Sequence, residues 1–314
     1  MTLKHSIQTI AVALTLAALL PAHAVEKAPA PAKTVQKTYA APEEAAKALA
    51  DAIRADDMKA LLAVVGPDAR GWLSSGDDVA DREGRKRFLV AYDRKHGISR
   101  VADDKVFLTV GEDDWPFPAP LLRQAKGWVF DAQAGREEIV NRRIGRNELD
   151  TIQTLLAIVD AQREYASADP DRNGFHDYAR RFRSSPGKKD GLFWPVAAGE
   201  ANSPMGPLIA AAAREGYGKE DSGKPAAYHG YRYRILTAQG RNAPGGAYSY
   251  LVKDRLIGGF AVVAYPVQHG SSGVMTFIVN HDGVVYQKNL GPGTEAAASK
   301  MRSYDPDASW KAVQ

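Results

Sequence analysis

Cysteine is absent from all 314 residues of the chain. That absence removes disulfides, zinc–thiolate sites and thiol nucleophiles together, and leaves no cysteine to carry a lipid. It also avoids mispairing in an oxidising compartment. Long apolar runs are equally scarce. The main one, Ile7–Leu20, is too short for a confident membrane span, which needs roughly 20 residues. Signatures of catalysis are missing too. No His pair has HExxH or similar metal-ligand spacing, and His176, His229, His269 and His281 read as turn residues. Gly270-Ser271-Ser272-Gly273 is not a Gly-x-Ser-x-Gly nucleophile elbow and reads as a turn between strands. Ser74-Ser75-Gly76-Asp77 holds nucleophile types without an identifiable base, and a helix cap accounts for it. The carboxylate pairs Glu137-Glu138 and Asp113-Asp114 are sequence neighbours that face different ways. The expectation leans away from an enzyme.

What is present begins with an export signal. Lys4 supplies a positive n-region, Ile7–Leu20 the apolar stretch and Ala22-His23-Ala24 a small-residue cleavage site. Residues 1–24 are therefore expected to be removed, leaving a soluble periplasmic or secreted protein with no membrane span. Val25–Ala40, with Pro29 and Pro31 alternating with Ala and Lys, reads as a linker. Lys and Arg number 41 against 37 Asp and Glu, a net charge of +4; losing Lys4 takes one away and leaves +3. Basic clusters lie at Arg85-Lys86-Arg87, at Arg142-Arg143 with Arg146, and at Arg180-Arg181 with Arg183. An exported protein rarely meets nucleic acid, so these read as solvated helix faces or as weak attraction for an anionic envelope polymer.

The remaining chain, about 290 residues, is long for one core and suits two domains, here 41–145 and 146–314. In the first, Pro42 opens a helix whose Ala45, Ala46, Leu49 and Ile53 share a face. Met58–Val65 follows, then a loop over Trp72–Asp77 and a helix over Asp81–His96. The pattern then turns to strands at Lys105–Val110, Leu121–Gln124 and Trp128–Asp131. The second domain opens on the longest helical pattern. With Ile152 at zero and about 100° per residue, Leu149, Leu155, Leu156, Val159 and Ala166 fall close to it, and Ile158 and Tyr165 widen the arc. Asn147 is positioned to cap its start, after Gly145 ends a preceding turn. Short helices are expected near Tyr178–Arg183 and from Ser203-Pro204 to Arg214. Strands follow at Tyr231–Leu236, Tyr248–Val252, Gly259–Tyr265, Val274–Val279 and Val284–Gln287, the last two joined through Asp282-Gly283. The fold class is α+β: helices on an antiparallel curved sheet, then a long helix across an antiparallel meander.

The runs SSGD (74–77), DDWPFP (113–118), NRRIGRNEL (141–149), VDAQREYA (159–166) and GYRYRIL (230–236) resemble a bacterial family of exported proteins of uncharacterised function. That resemblance covers nearly the whole mature chain and implies no catalytic residue. The first half is similar to the cystatin-like cone folds related to nuclear transport factor 2 and limonene-epoxide hydrolase. No polar dyad of those enzymes can be placed on it. The second half resembles the globular heads of type IV pilins and pseudopilins, in which a helix with a motif like Ala161-Gln162-x-x-Tyr165 packs on a meander. It departs from a pilin because that helix does not continue from an N-terminal apolar segment.

Two candidate sites emerge. Asp169, Asp171, Asn173, Gly174, Phe175 and Asp177 match the early positions of a calcium loop, with alternate oxygens and a Gly turn. Arg180 stands where the terminal bidentate Glu belongs, so weak calcium binding, or a polar turn capping the next helix, are the two readings. Trp72, Trp115, Phe117, Trp128 and Phe130 would line the open end of a cone-shaped sheet and hold a small ligand, or else form the first core. Three functions are consistent with this: a non-enzymatic module binding another envelope protein or polymer, a small-ligand binder using the aromatic cone, and an envelope hydrolase with an unrecognised site.

Overall fold

The computed structural model describes residues 35–172, 174–218 and 227–313. The expected leader, the linker up to residue 34, and Asn173 lie outside them. Four helices come first: α1 (Pro42–Arg54), α2 (Met58–Val65), α3 (Arg70–Leu73) and α4 (Asp78–Arg94). Strands β1 (His96–Ala102), β2 (Lys105–Val110), β3 (Trp115–Pro116), β4 (Leu121–Gln124) and β5 (Gly127–Phe130) follow. Helix α5 (Ala132–Ala168) and helix α6 (Gly206–Arg214) precede β6 (Tyr231–Leu236), β7 (Ala238–Gln239), β8 (Tyr248–Ser249), β9 (Leu251–Val252) and β10 (Arg255–Leu256). The chain closes with β11 (Ala261–Pro266), β12 (Thr276–Asn280), β13 (Tyr286–Lys288), α7 (Thr294–Lys300), β14 (Ser303–Tyr304) and β15 (Lys311–Ala312).

Local chemistry explains the helix starts. Pro42 occupies the first turn of α1, where a missing N–H costs nothing, and Glu43 and Glu44 suit the positive helix end. The Asp57 carboxylate accepts the Ala60 N–H at 3.0 Å and caps α2. Asp77 caps α4 in the same way, through the Ala80 N–H at 3.0 Å. The loop expected over Trp72–Asp77 is present from Ser74 to Asp77, as is the expected cap, while Trp72 and Leu73 belong to the short helix α3. The first sheet is antiparallel, ordered β1-β2-β4-β5, with β3 also on β2. Val106, Leu108 and Val110 alternate into the core along β2 and meet Leu49, Leu62, Val65 and Trp72 in one buried cluster.

Helix α5 differs most from expectation. It begins not at Asn147 but at Ala132, where the Asp131 carboxylate accepts the N–H groups of Gln133 and Ala134 at 3.0 and 3.1 Å. Gly145 does not end a turn; it sits inside the helix, where its cost of about 1 kcal/mol is outweighed by packing on both sides. Asn147 is buried and donates its Nδ2 to Ser272 O at 2.8 Å instead of capping. Leu149 and Leu156, expected inward, are exposed, while Leu155, Ile158, Val159 and Tyr165 are buried. At 37 residues the helix is roughly 55 Å long. Ile139 and Val140 pack on the first core, and Leu155 to Tyr165 belong to the second. The boundary expected at 145 therefore falls inside a helix, and Thr34–Gln314 forms one compact unit.

The second sheet is antiparallel, ordered β15-β13-β12-β11-β6. Every residue of β11 and β12 is buried, as central strands covered on both faces must be. The expected turn at Asp282-Gly283 joins β12 to β13, with Gly283 at φ 86°. The Tyr178–Arg183 stretch is not a helix: Tyr178 N–H donates to Leu256 O at 3.0 Å, and Arg183 bridges to Phe193. The architecture is α+β, and no described helix is long and apolar enough to cross a membrane.

Buried polar contacts join the two cores. The Arg143 guanidinium donates to Trp72 O at 2.9 Å, to Ser271 O at 2.9 Å and to Ser271 Oγ at 3.0 Å. Asp77 Oδ2 accepts from Gly230 N at 2.7 Å and from the Tyr217 hydroxyl at 2.9 Å. Glu148 Oε1 accepts the N–H groups of Val274 and Met275, both at 2.9 Å. Three of the sequence runs singled out above meet here, and their chemistry is structural.

Candidate functional site

The last turns of α5 carry two inward polar side chains three residues apart, Gln162 and Tyr165, so they share a helix face. Gln162 is wholly buried and clamps the Ala179 backbone twice, donating to its carbonyl at 2.9 Å and accepting its N–H at 2.8 Å. Tyr165 donates its hydroxyl to Lys189 O at 2.8 Å. These bonds pin an irregular segment, 178–190, beside the end of the helix. Opposite it stands the β9–β10 hairpin, whose Val252↔Arg255 pairing leaves only Lys253 and Asp254 in the turn. Both have positive φ, 47° and 66°, the backbone of a tight two-residue turn that matches strand twist.

Between these elements lies an open cleft of about 320 Å³. Its cations are Arg180, Arg181, Lys253 and Arg255; its carboxylates are Asp171, Asp177, Asp190 and Asp254. Cation–carboxylate pairs span it. Arg180 faces Asp254 at 3.5 Å, Arg181 faces Asp190 at 3.7 Å, and Arg255 faces Asp177 at 3.5 Å. Arg180 is also held by a 2.8 Å bond to Asp254 O. Burial, reinforced by the nearby carboxylates of Asp171, Asp177, Asp190 and Asp169, pushes the Tyr165 hydroxyl well above its ordinary range. At neutral pH it is a neutral hydrogen-bond donor. Burial would raise the Asp190 carboxyl, but bonds from the Ser185 N–H and hydroxyl, helped by Arg181, hold it below its usual value. The arrangement suits binding a charged group rather than transferring a proton.

The calcium-type residues lie at one side of this cleft in a different arrangement. Asp169 ends α5 in the left-handed region, φ 44°, and its carboxylate accepts the Gly174 N–H at 3.0 Å. Asp171 lines the cleft, Asp177 faces Arg255, and the Phe175 ring lies 4.6 Å from the Arg255 guanidinium. His176 turns its Nδ1 to Ala166 O at 2.9 Å. Among the described residues no group of three or more His, Asp or Glu side chains is gathered as a metal site. Of the aromatic set, Trp72, Phe117, Trp128 and Phe130 are buried in the first core, with Phe117 edge-on to Phe130 at 5.8 Å. They fill the sheet's inner face rather than lining a mouth. Trp115 alone of the five is exposed, with the Arg142 guanidinium 5.8 Å from its ring.

No sequence signal marks Lys253, Asp254, Arg255, Asp190 or Tyr165 as a site residue. Lys253-Asp254 between apolar residues is a weak hairpin signal, and nothing local announces that the hairpin faces Asp177.

Residues 36–313 match a family model described as "Protein of unknown function (DUF2950)". The chain belongs to this family. Comparison with curated proteins and with solved structures finds no match. Family membership bears out the expected kinship with proteins of uncharacterised function and covers both cores and the cleft together.

Proposed function

We propose that this member of the family is an exported binding module, and that the cleft beside the end of α5 is its binding site for another envelope protein or polymer. The observation that carries this reading is the open cleft, lined mainly by charged side chains, whose cations and carboxylates are equal in number. Such a surface recognises charged groups through complementary pairing and gains specificity more than raw affinity from it. The leader-like Met1–Ala24 supports export. Burial of Trp72, Phe117, Trp128 and Phe130 gives the small-ligand cone no support.

Photo-crosslinking in the native envelope tests the reading. A benzophenone side chain at Lys253 should give a discrete adduct, and the same group at exposed Lys47 on α1 should not. Equal labelling at both positions, or none at Lys253 in folded protein, refutes the cleft as a binding site. Sequencing the same envelope fraction should find Val25 at the N-terminus; an intact Met1 there refutes export.

A further inference from the structure

We infer that the cleft takes a short peptide segment carrying charges of both signs, with a neighbouring apolar side chain that rests on the adjoining hairpin. This rests on the reading of the cleft as a binding site and adds the class of ligand.

The charge balance comes first. A ligand of one sign would gain four opposite charges in this cleft and face four like ones. Like-charge juxtaposition is what suppresses wrong partners. A ligand with both signs meets only complements if its groups are spaced as the cleft's are. These internal pairs point the same way. Their separations of 3.5, 3.7 and 3.5 Å are well beyond the 2.7–2.9 Å of a close charge-assisted bond. The charged ends are therefore not locked together by close bonds, although Arg180 is anchored through Asp254 O and Asp190 through Ser185. A ligand carboxylate that closes on Arg255 lets Asp177 take the ligand's cation, so every charge keeps a partner.

The apolar side chain is read from the hairpin register. Val252 stands directly opposite Arg255, so both point to one face, and Ile257 follows Arg255 by two residues onto the same face. The intervening Leu256 is buried, whereas Val252 is 49% exposed and Ile257 41% exposed. Phe175, 49% exposed, adds its ring beneath the Arg255 guanidinium. An apolar lip thus borders a dipolar cleft. A zwitterionic lipid shares that pattern in part. The hairpin tip opposes it, because Lys253 and Asp254 project beyond the lip, and the Asp254 side chain is 87% exposed. A membrane surface would meet that charged tip before the apolar residues.

The test uses the mature protein and blocked synthetic tetrapeptides in a calorimetric titration. Leu-Lys-Ala-Glu should bind roughly ten-fold more tightly than the all-acidic Leu-Glu-Ala-Glu or the all-basic Leu-Lys-Ala-Lys. Replacing its Leu by Gly should cost about five-fold. Arg255→Glu should abolish the preference, with an unchanged melting curve showing that the variant folds. Equal binding of a single-sign peptide overturns the inference. So does binding to phosphatidylethanolamine vesicles that the mixed peptide cannot compete away, which would assign the site to lipid. If Lys253 crosslinks in the envelope and no peptide binds, the ligand class is wrong and the binding site stands; if both fail, both readings fall.

Discussion

Arg143 shows how much of this structure depends on single half-buried polar groups. Its side chain satisfies two carbonyls and a hydroxyl drawn from both cores, and truncation would leave all three without their donor. Arg143→Ala should therefore destabilise the protein by about 2–4 kcal/mol, measured by urea unfolding. Arg143→Lys should recover less than half of that loss, because an ammonium cannot reproduce the planar fork. Next to it, Asp81 accepts the N–H and hydroxyl of Ser75 at 2.7 and 2.8 Å. Burial raises its carboxyl above the ordinary value, against the opposing pull of the Ser75 bonds and Arg143. The folded state consequently binds that proton more tightly than the unfolded chain does. The associated stability is fully present below the ordinary carboxylate pKa and is lost as pH rises through the raised one. Unfolding midpoints at several pH values should show wild type losing its advantage over Asp81→Asn as pH rises above the ordinary carboxylate range. A constant difference would mean that Asp81 does not titrate in this way.

At the scale of elements, two glycines in one helix give opposite expectations. Gly145 is exposed, and a Cβ added there would have nothing within 4 Å, so Gly145→Ala should stabilise the protein by about 0.5–1 kcal/mol. A Cβ on Gly135 would lie 2.8 Å from both Cα and N of Ala119. Backbone cannot yield as a flexible side chain does, and Gly135→Ala should destabilise by about 1–3 kcal/mol despite its better helix propensity. Thermal melts of both variants decide the pair. The same helix shows where sequence reading reaches and where it stops. Met58–Val65 and Lys105–Val110 are legible because Asp57 and Gly66 punctuate the first and strict alternation marks the second. Gly145 reads as punctuation as well, yet packing on either side overrides it. Strand β1 is not legible, since its side chains are mostly exposed and its pairing with β2 is made by backbone. Of the cleft, Asp171 and Asp177 are legible as charged loop residues. Their neighbours across it, Lys253 and Arg255, are not, because the register that brings a distant hairpin to them is set by tertiary packing.

For the whole molecule, the cores share a helix and several buried hydrogen bonds, so neither is expected to melt alone. Far-ultraviolet circular dichroism should report a transition that coincides with tryptophan fluorescence, since Trp72 and Trp128 sit in the first core and Trp194 packs on the second. Two separated transitions would show that α5 fails to couple them. Limited proteolysis offers a second view: fragments cut between Asn141 and Asn147 should remain associated.

A continuous helix through both cores also fixes a rotational phase between them. On one side of Gly145, Arg143 engages Trp72 and Ser271; on the other, Asn147 and Glu148 engage Ser272, Val274 and Met275. One residue inserted at Gly145 would turn everything beyond it by about 100° and advance it by about 1.5 Å. Gln162 would then face away from Ala179, and the cleft wall would lose its clamp. Seven inserted residues nearly complete two turns, restoring the azimuth to within about 20° while separating the cores by roughly 10 Å. Length changes in this helix are thus quantised: its two ends can drift in sequence, but they must keep count with each other.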